Sequence, residues 1–179
     1  WITNTGTTYN NNERSVLYGP CIDVTQLPRP AVSFDYWSNT DKKNDGAYVE
    51  TSIDGGSTWQ VLGNAQTGLA WYNESSIGGL TTQPNITGGQ IGQSQDQVGY
   101  SGDTEGWKNG KYSLQSFSTQ PKLRIRFVFG SNGENPTGEN FEGFAMDYFR
   151  LDSRNRVILA ENFTNSSETP NNIAFNNFI

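Results

Sequence analysis

Residues 45–59 read DGAYVETSIDGGSTW, and how this stretch is read decides the fold. Its first half alternates. Ala47, Val49, Thr51 and Ile53 fall on one side, and Tyr48, Glu50 and Ser52 on the other, which is the period of a half-buried β-strand. Asp54-Gly55-Gly56-Ser57 supplies turn chemistry, because glycine reaches positive φ cheaply and Asp accepts hydrogen bonds from nearby amides. Trp59-Gln60-Val61-Leu62 reads as the returning strand. The stretch is therefore a β-hairpin, and the rest of the chain is expected to pack around it.

Working outward, alternating apolar runs recur on both sides. Ser15–Thr25 reads as two short strand pieces with a kink at Gly19-Pro20, and Ala31–Trp37 as a strand with Val32, Phe34 and Tyr36 on one face. Downstream, Tyr112–Phe117, Lys122–Phe129 and Phe144–Leu151 are further strands. Leu123, Ile125, Phe127 and Phe129 form the core face of the second. No helix is expected before residue 160 and no internal repeat is found. This predicts an all-β chain, an antiparallel β-sandwich with long polar loops. Residues 1–14 read as a lead-in loop, 15–154 as the sandwich module, and 155–179 as an extra strand (Arg156–Phe163) or a linker toward a following domain.

Composition agrees and narrows the function. Aromatic residues make up 13% of the 179 residues and charged residues only 17%, which suits a β-sandwich with a real core. The formal net charge is −6, so duplex nucleic acid and anionic membranes are poor partners, since both reward clustered Lys and Arg. There is no histidine, and the one cysteine, Cys21, is read as a small core residue. An intrachain disulfide, a Ser-His-Asp triad and the common zinc sites are thereby excluded. Carboxylate-only glycosidase chemistry survives, but no paired E-x-E or E-x-D arrangement stands on one strand face. Glu50, Asp54, Glu142 and Asp147, with the lone strand acid Asp35, are the acids on or beside strands. With neither a leader nor a membrane-spanning run, and with Trp1 as its first residue, the chain is expected to be a piece of a longer exported protein.

Residues 63–110 form a long Gly/Thr/Gln/Asn-rich region, and connections of that length usually carry function or wrap a surface. Trp71, Tyr72, Tyr100 and Trp107 are its candidate ligand contacts, because aromatic faces stack on sugar rings and partner side chains. The plainer alternative is that these aromatics pin the loop to the sheet. It is preferred for Trp71 and Trp107.

Two motifs carry a resemblance. Ser52, Asp54, Gly56, Thr58 and Trp59 fit S-x-D-x-G-x-T-W, which resembles the Asp-box hairpin of sialidases and many secreted β-proteins, where it is a folding unit. In order, FDYW, DGAYVETSIDGGSTW, an isolated Trp-Gly region, LRIRFVFGSN and EGFAMDYFRL are similar to the jelly-roll modules of MAM domains and reelin repeats. The likeness is strongest to modules of large secreted bacterial proteins, beside M6-type peptidases and in Bacteroidetes surface proteins. It spans roughly residues 15–151 and lacks the disulfides of the extracellular MAM proteins.

The resemblance implies a non-catalytic adhesion or glycan-binding module, secreted or at the cell surface. Its partners would be neighbouring domains of the same polypeptide, a glycan or another surface protein. A purely structural spacer is the alternative, and a glycoside hydrolase or lyase a more distant one. The resemblance also implies a structural Ca²⁺ held by Asp45 and Asp147. An unpaired carboxylate at Asp147, among Phe144, Met146, Phe149 and Leu151, would be costly. An ion pair with Arg124 or Arg126 is the other solution. Asp23, Glu50 or backbone carbonyls could complete a cation's shell.

Overall fold

The computed structural model describes residues 1–3, 6, 8–81, 93, 96–133 and 140–153. The strand expected at 156–163 lies outside the described residues. Within them run seven strands: β1 (Arg14–Ile22), β2 (Pro30–Asn39), β3 (Gly46–Ser52), β4 (Gln60–Val61), β5 (Lys108–Ser113), β6 (Leu123–Gly130) and β7 (Gly143–Ser153). Two short 3₁₀ turns, Gly78–Leu80 and Gln115–Phe117, are the helical elements among the described residues.

The strands form two antiparallel sheets, one of four strands in the order β1-β6-β3-β4 and one of three in the order β5-β2-β7. Alternation explains how they face each other. Leu123, Ile125, Phe127 and Phe129 point in from β6, and Val32, Phe34 and Tyr36 point in from β2; all are buried. The ring of Phe34 meets that of Phe127 edge-on at 4.8 Å, which joins the two layers directly. The protein is an all-β sandwich.

The expected kink in the first strand is a register shift between Tyr18 and Cys21, so one strand runs through it. Cys21 is exposed rather than a core residue. Residues 1–3 are not a loose lead-in. Trp1 and Met146 exchange backbone hydrogen bonds of 2.9 and 2.8 Å, the Thr3 amide donates to the Phe144 carbonyl at 3.0 Å, and Ile2 pairs with Ala145. This short segment extends the three-stranded sheet beyond β7.

The outer face of the four-stranded sheet is covered over much of its extent. The hairpin between β3 and β4 is tied by its own side chains. Thr58 donates to Asp54 from its amide at 2.9 Å and from its hydroxyl at 2.6 Å, and Ser52 donates to Asp54 at 2.7 Å. These bonds hold the Asp54 carboxyl well below the usual carboxylate range. Gly56, at φ 101°, donates to Ser52 Oγ and accepts from Trp59 Nε1 at 3.0 Å. The Trp59 ring then lies over the Arg126 guanidinium at 4.2 Å, and Arg126 Nε donates to Glu50 at 2.5 Å.

Toward the other end of the same sheet, the turn at Gly78–Leu80 closes down. A Cβ on Gly79 would sit 2.6 Å from the Asn44 carbonyl oxygen, so the approach needs glycine. The outer-face residues Tyr48 and Val128 are as buried as those inside.

The long region between β4 and β5 is anchored by Trp71, Tyr72, Ile77, Leu80, Val98 and Tyr100, all buried. Trp71 packs edge-on against Phe34 at 5.5 Å, and its Nε1 donates to the Leu62 carbonyl at 2.9 Å. Trp71→Ala is expected to cost about 3–5 kcal/mol in urea unfolding, because it opens a cavity beside Phe34. Trp107→Ala should change stability by no more than about 0.5 kcal/mol. Equal losses in the two variants would contradict this assignment of core and surface.

Candidate functional site

Among the described residues, nothing comparable covers the outside of the three-stranded sheet. Asn109, Asp147, Tyr148 and Arg150 are exposed there, and Asp35 and Trp37 are half-buried. Strand alternation builds this face. With Val32, Phe34 and Tyr36 turned in from β2, Ser33, Asp35 and Trp37 must turn out. On β5, Gly110 and Tyr112 face the interior, so Asn109 and Lys111 face outward, and Trp107 continues their parity just before the strand begins.

Register arranges these side chains in rows. Asn109, Asp35 and Asp147 form one row, and Asn109 Nδ2 donates to Asp35 Oδ1 at 2.5 Å. Lys111, Ser33 and Arg150 form the next. On the other side stand Trp37 opposite Ala145, with Ile2 beyond Ala145, and Trp107 just precedes Lys108, which pairs with Tyr36. Trp107 is 57% exposed and Ile2 50%. Successive rows are about 7 Å apart along the strands.

A β-bulge shapes one margin. The register of β2 against β7 shifts between Ser33 and Asp35, so Tyr148 and Phe149 together oppose Phe34. Tyr148 takes a left-handed φ of 48°, and its ring is 63% exposed with the Arg150 guanidinium 5.9 Å from its centre. The bulge resets the parity of β7, so Phe144 and Met146 before it and Leu151 after it all reach the core. Asp147 stays outside.

The expected site residues separate accordingly. Trp71, Tyr72 and Tyr100 are core: Tyr72 Oη bonds to both the amide and the carbonyl of Val49, and Tyr100 stacks on Phe144. None of the three can meet a ligand without unfolding. Trp107 alone of the four candidate contacts is on the surface, against the reading that it pins the loop. Trp37, which the sequence reading did not single out as a contact, joins it. The signal was present in the strict alternation of AVSFDYW.

The structure does not bring Asp45 and Asp147 together. Asp45 is fully buried at the end of the sandwich, where Tyr9 Oη donates to its Oδ2 at 2.5 Å and the Asn132 amide to its Oδ1 at 2.7 Å. Asp147 lies four residues along β7 from Gly143, whose Cβ position meets the Tyr9 ring at that end. The separation is on the order of 13 Å. Nor is Asp147 buried: its carboxylate accepts from the Tyr148 amide at 2.8 Å and faces solvent. It pairs with neither arginine, since Arg126 is bound to Glu50, and Arg124 donates to the Gly55 and Gly19 carbonyls. Among the described residues no three His, Cys, Asp or Glu side chains converge as a metal group. These donors do not fit one shared Ca²⁺.

A scan against protein-family models finds no match, and a search of curated proteins finds none either.

Two predictions follow from the placement of the acids. Chelator-stripped protein should melt at the same temperature with and without added Ca²⁺, in wild type and Asp147→Asn alike. A calcium-dependent rise that vanishes in the variant would restore the shared ion. Burial pushes the Asp45 carboxyl up from its ordinary 3.8, with the Tyr9 and Asn132 hydrogen bonds pulling against it. In the window above 3.8 the folded state holds this proton more tightly than the unfolded chain, so Asp45's contribution to stability falls as pH rises through the raised value. Tyr9→Phe removes one of the opposing bonds and should extend that fall to higher pH in urea melts. An unchanged profile would mean that Asp45 does not titrate with folding.

Proposed function

We propose that this sandwich is a non-catalytic binding module of a larger secreted or cell-surface protein, and that its ligand is a glycan held on the outer face of the three-stranded sheet. One observation carries the reading: Trp37 turns outward from β2 beside a row of amide and carboxylate side chains, on a sheet face left open among the described residues, and the exposed Trp107 immediately precedes the neighbouring strand β5. Indole faces stack on the apolar faces of sugar rings, while Asn109, Asp35 and Asp147 offer hydroxyl-matching donors and acceptors. A platform on strands is rigid, so little ordering is required when a ligand arrives.

Among the described residues Asp35 and Asp147 also form a cross-strand pair of carboxylates on this face, and directly opposed residues in such a pair stand at about the separation a retaining glycosidase needs. Binding without turnover is favoured because Asp147 is exposed on an open sheet and not enclosed in a cleft that would shed water. The neighbouring domains of the same polypeptide would then present this face to the glycan.

A glycan array and affinity electrophoresis in polysaccharide gels test the reading. Wild type should be retarded by at least one polysaccharide, and Trp37→Ala or Trp107→Ala should weaken that binding by about tenfold or more, with melting temperature retained. Binding that survives the loss of both indoles would move the site elsewhere. No binding to any glycan would leave the module a spacer, and release of reducing sugar would make it an enzyme.

A further inference from the structure

The open face is zoned by charge. Asp147 stands directly opposite Asp35, and the Asn109 bond to Asp35 fixes that carboxylate on the outer side. Directly opposed side chains in an antiparallel pair have Cβ atoms about 4.5–5.5 Å apart, and like charges there repel. Among the described residues neither carboxylate forms a salt bridge. Among outward-parity positions the nearest bases, Lys111 and Arg150, flank Ser33, a further step of about 7 Å along β2, and the exposed Lys108, opposite Tyr36, follows Trp107 on the opposite parity of β5.

On the far side of Trp37 a second acidic zone begins. Asn39 Nδ2 donates to Asp103 Oδ2 at 3.2 Å, Asn39 Oδ1 accepts from the Glu142 amide at 3.0 Å, and Asp103, Glu105 and Glu142 are all exposed. Trp37 thus lies between two groups of carboxylates.

This arrangement discriminates among sugars. A ring stacked on Trp37 has its substituents within reach of the Asp35–Asp147 row about 7 Å away. A uronic or sulfated sugar is repelled from both sides. A neutral sugar makes ordinary hydrogen bonds. An ammonium substituent relieves the repulsion between the paired carboxylates, forms charge-assisted hydrogen bonds with them and is attracted to the indole faces.

We propose that the glycans selected by this face carry free amino groups, with the ammonium seated between Asp35 and Asp147 and the ring lying on Trp37 and Trp107. This deepens the glycan-binding reading and rests on it.

Calorimetric titration with oligomers of glucosamine, N-acetylglucosamine and galacturonate, at mildly acidic pH, tests the proposal. The glucosamine oligomer should bind about tenfold more tightly than its acetylated counterpart, and galacturonate should bind most weakly. Added salt should narrow the margin. The double variant Asp35→Asn, Asp147→Asn should abolish it, bringing the two oligomers to equal affinity, while keeping the melting temperature.

Equal or tighter binding of the acetylated or the acidic oligomer would overturn the charge selection, as would a margin that persists in the double variant. In each of those cases the glycan reading stands so long as Trp37→Ala and Trp107→Ala still lose binding. Silence from all three oligomers and from the wider array would sink both.

Discussion

Phe34 sits where the two sheets meet, its ring within 4.8–6.2 Å of the rings of Phe127, Trp71, Tyr100 and Tyr36. Each such contact adds about 0.5–1.5 kcal/mol beyond simple burial. Their combined effect is to fix the register of β2. A slip of one residue would turn Phe34 to solvent and bring Asp35 into the core, which a β-strand with one buried face does not tolerate. The same constraint that fills the core therefore aims Ser33, Asp35 and Trp37 at the outside. The candidate binding face is a by-product of how Phe34 packs.

The two sheets meet solvent differently because their outer faces are built from different residues. The four-stranded sheet places Arg126 and Glu50 side by side on β6 and β3, and Tyr18 of β1 takes the next position in the row. Burying that ion pair is costly, and removing either partner would strand a charge at a cost of about 3–5 kcal/mol. Trp59 makes the burial possible by covering the guanidinium with its ring, and the interlocked Ser52, Asp54, Gly56 and Thr58 hold Trp59 in place. Burial pushes the Glu50 carboxyl upward, with Arg126 pulling against it. The hairpin is spent on closing that sheet. Among the described residues nothing similar is supplied for the three-stranded sheet, whose outer side chains are of the kind that tolerate water.

Much of this was legible in the sequence wherever periodicity could speak. The alternation of KLRIRFVF, AVSFDYW and DGAYVETS gave strands, faces and the sandwich, because a strand's inside and outside are encoded two residues apart. It could not sort the aromatics of residues 63–110. Trp71 and Trp107 look alike in an irregular segment, and only the three-dimensional path sends one beneath Phe34 and the other to the surface. In sequence Asp147 reads as costly to leave unpaired because Phe144, Met146, Phe149 and Leu151 surround it, whereas its parity relative to Phe144 and Met146 turns it outward and the bulge at Tyr148 and Phe149 puts Leu151 on the opposite parity. The pairing of Asp35 with Asp147 joins residues more than a hundred positions apart. No local pattern carries such a register.

The two acids that the resemblance had joined show how context decides what a carboxylate does. Asp45 has both oxygens occupied by a tyrosine hydroxyl and a backbone amide, and it holds the segment carrying Tyr9, the approach to β3 and the residues after β6 together. It is part of the fold. Asp147 keeps its place through backbone pairing alone, so its side chain can change without disturbing a packed neighbour. The same holds for Asp35, Trp37 and Asn109, whose backbones are fixed by β2 and β5 while their side chains face water. Substitution on such a face costs little stability, because the core that fixes the strands lies on their other side. A module of this design can therefore change what it binds without changing how it folds, which a site built from Trp71, Tyr72 and Tyr100 could not do.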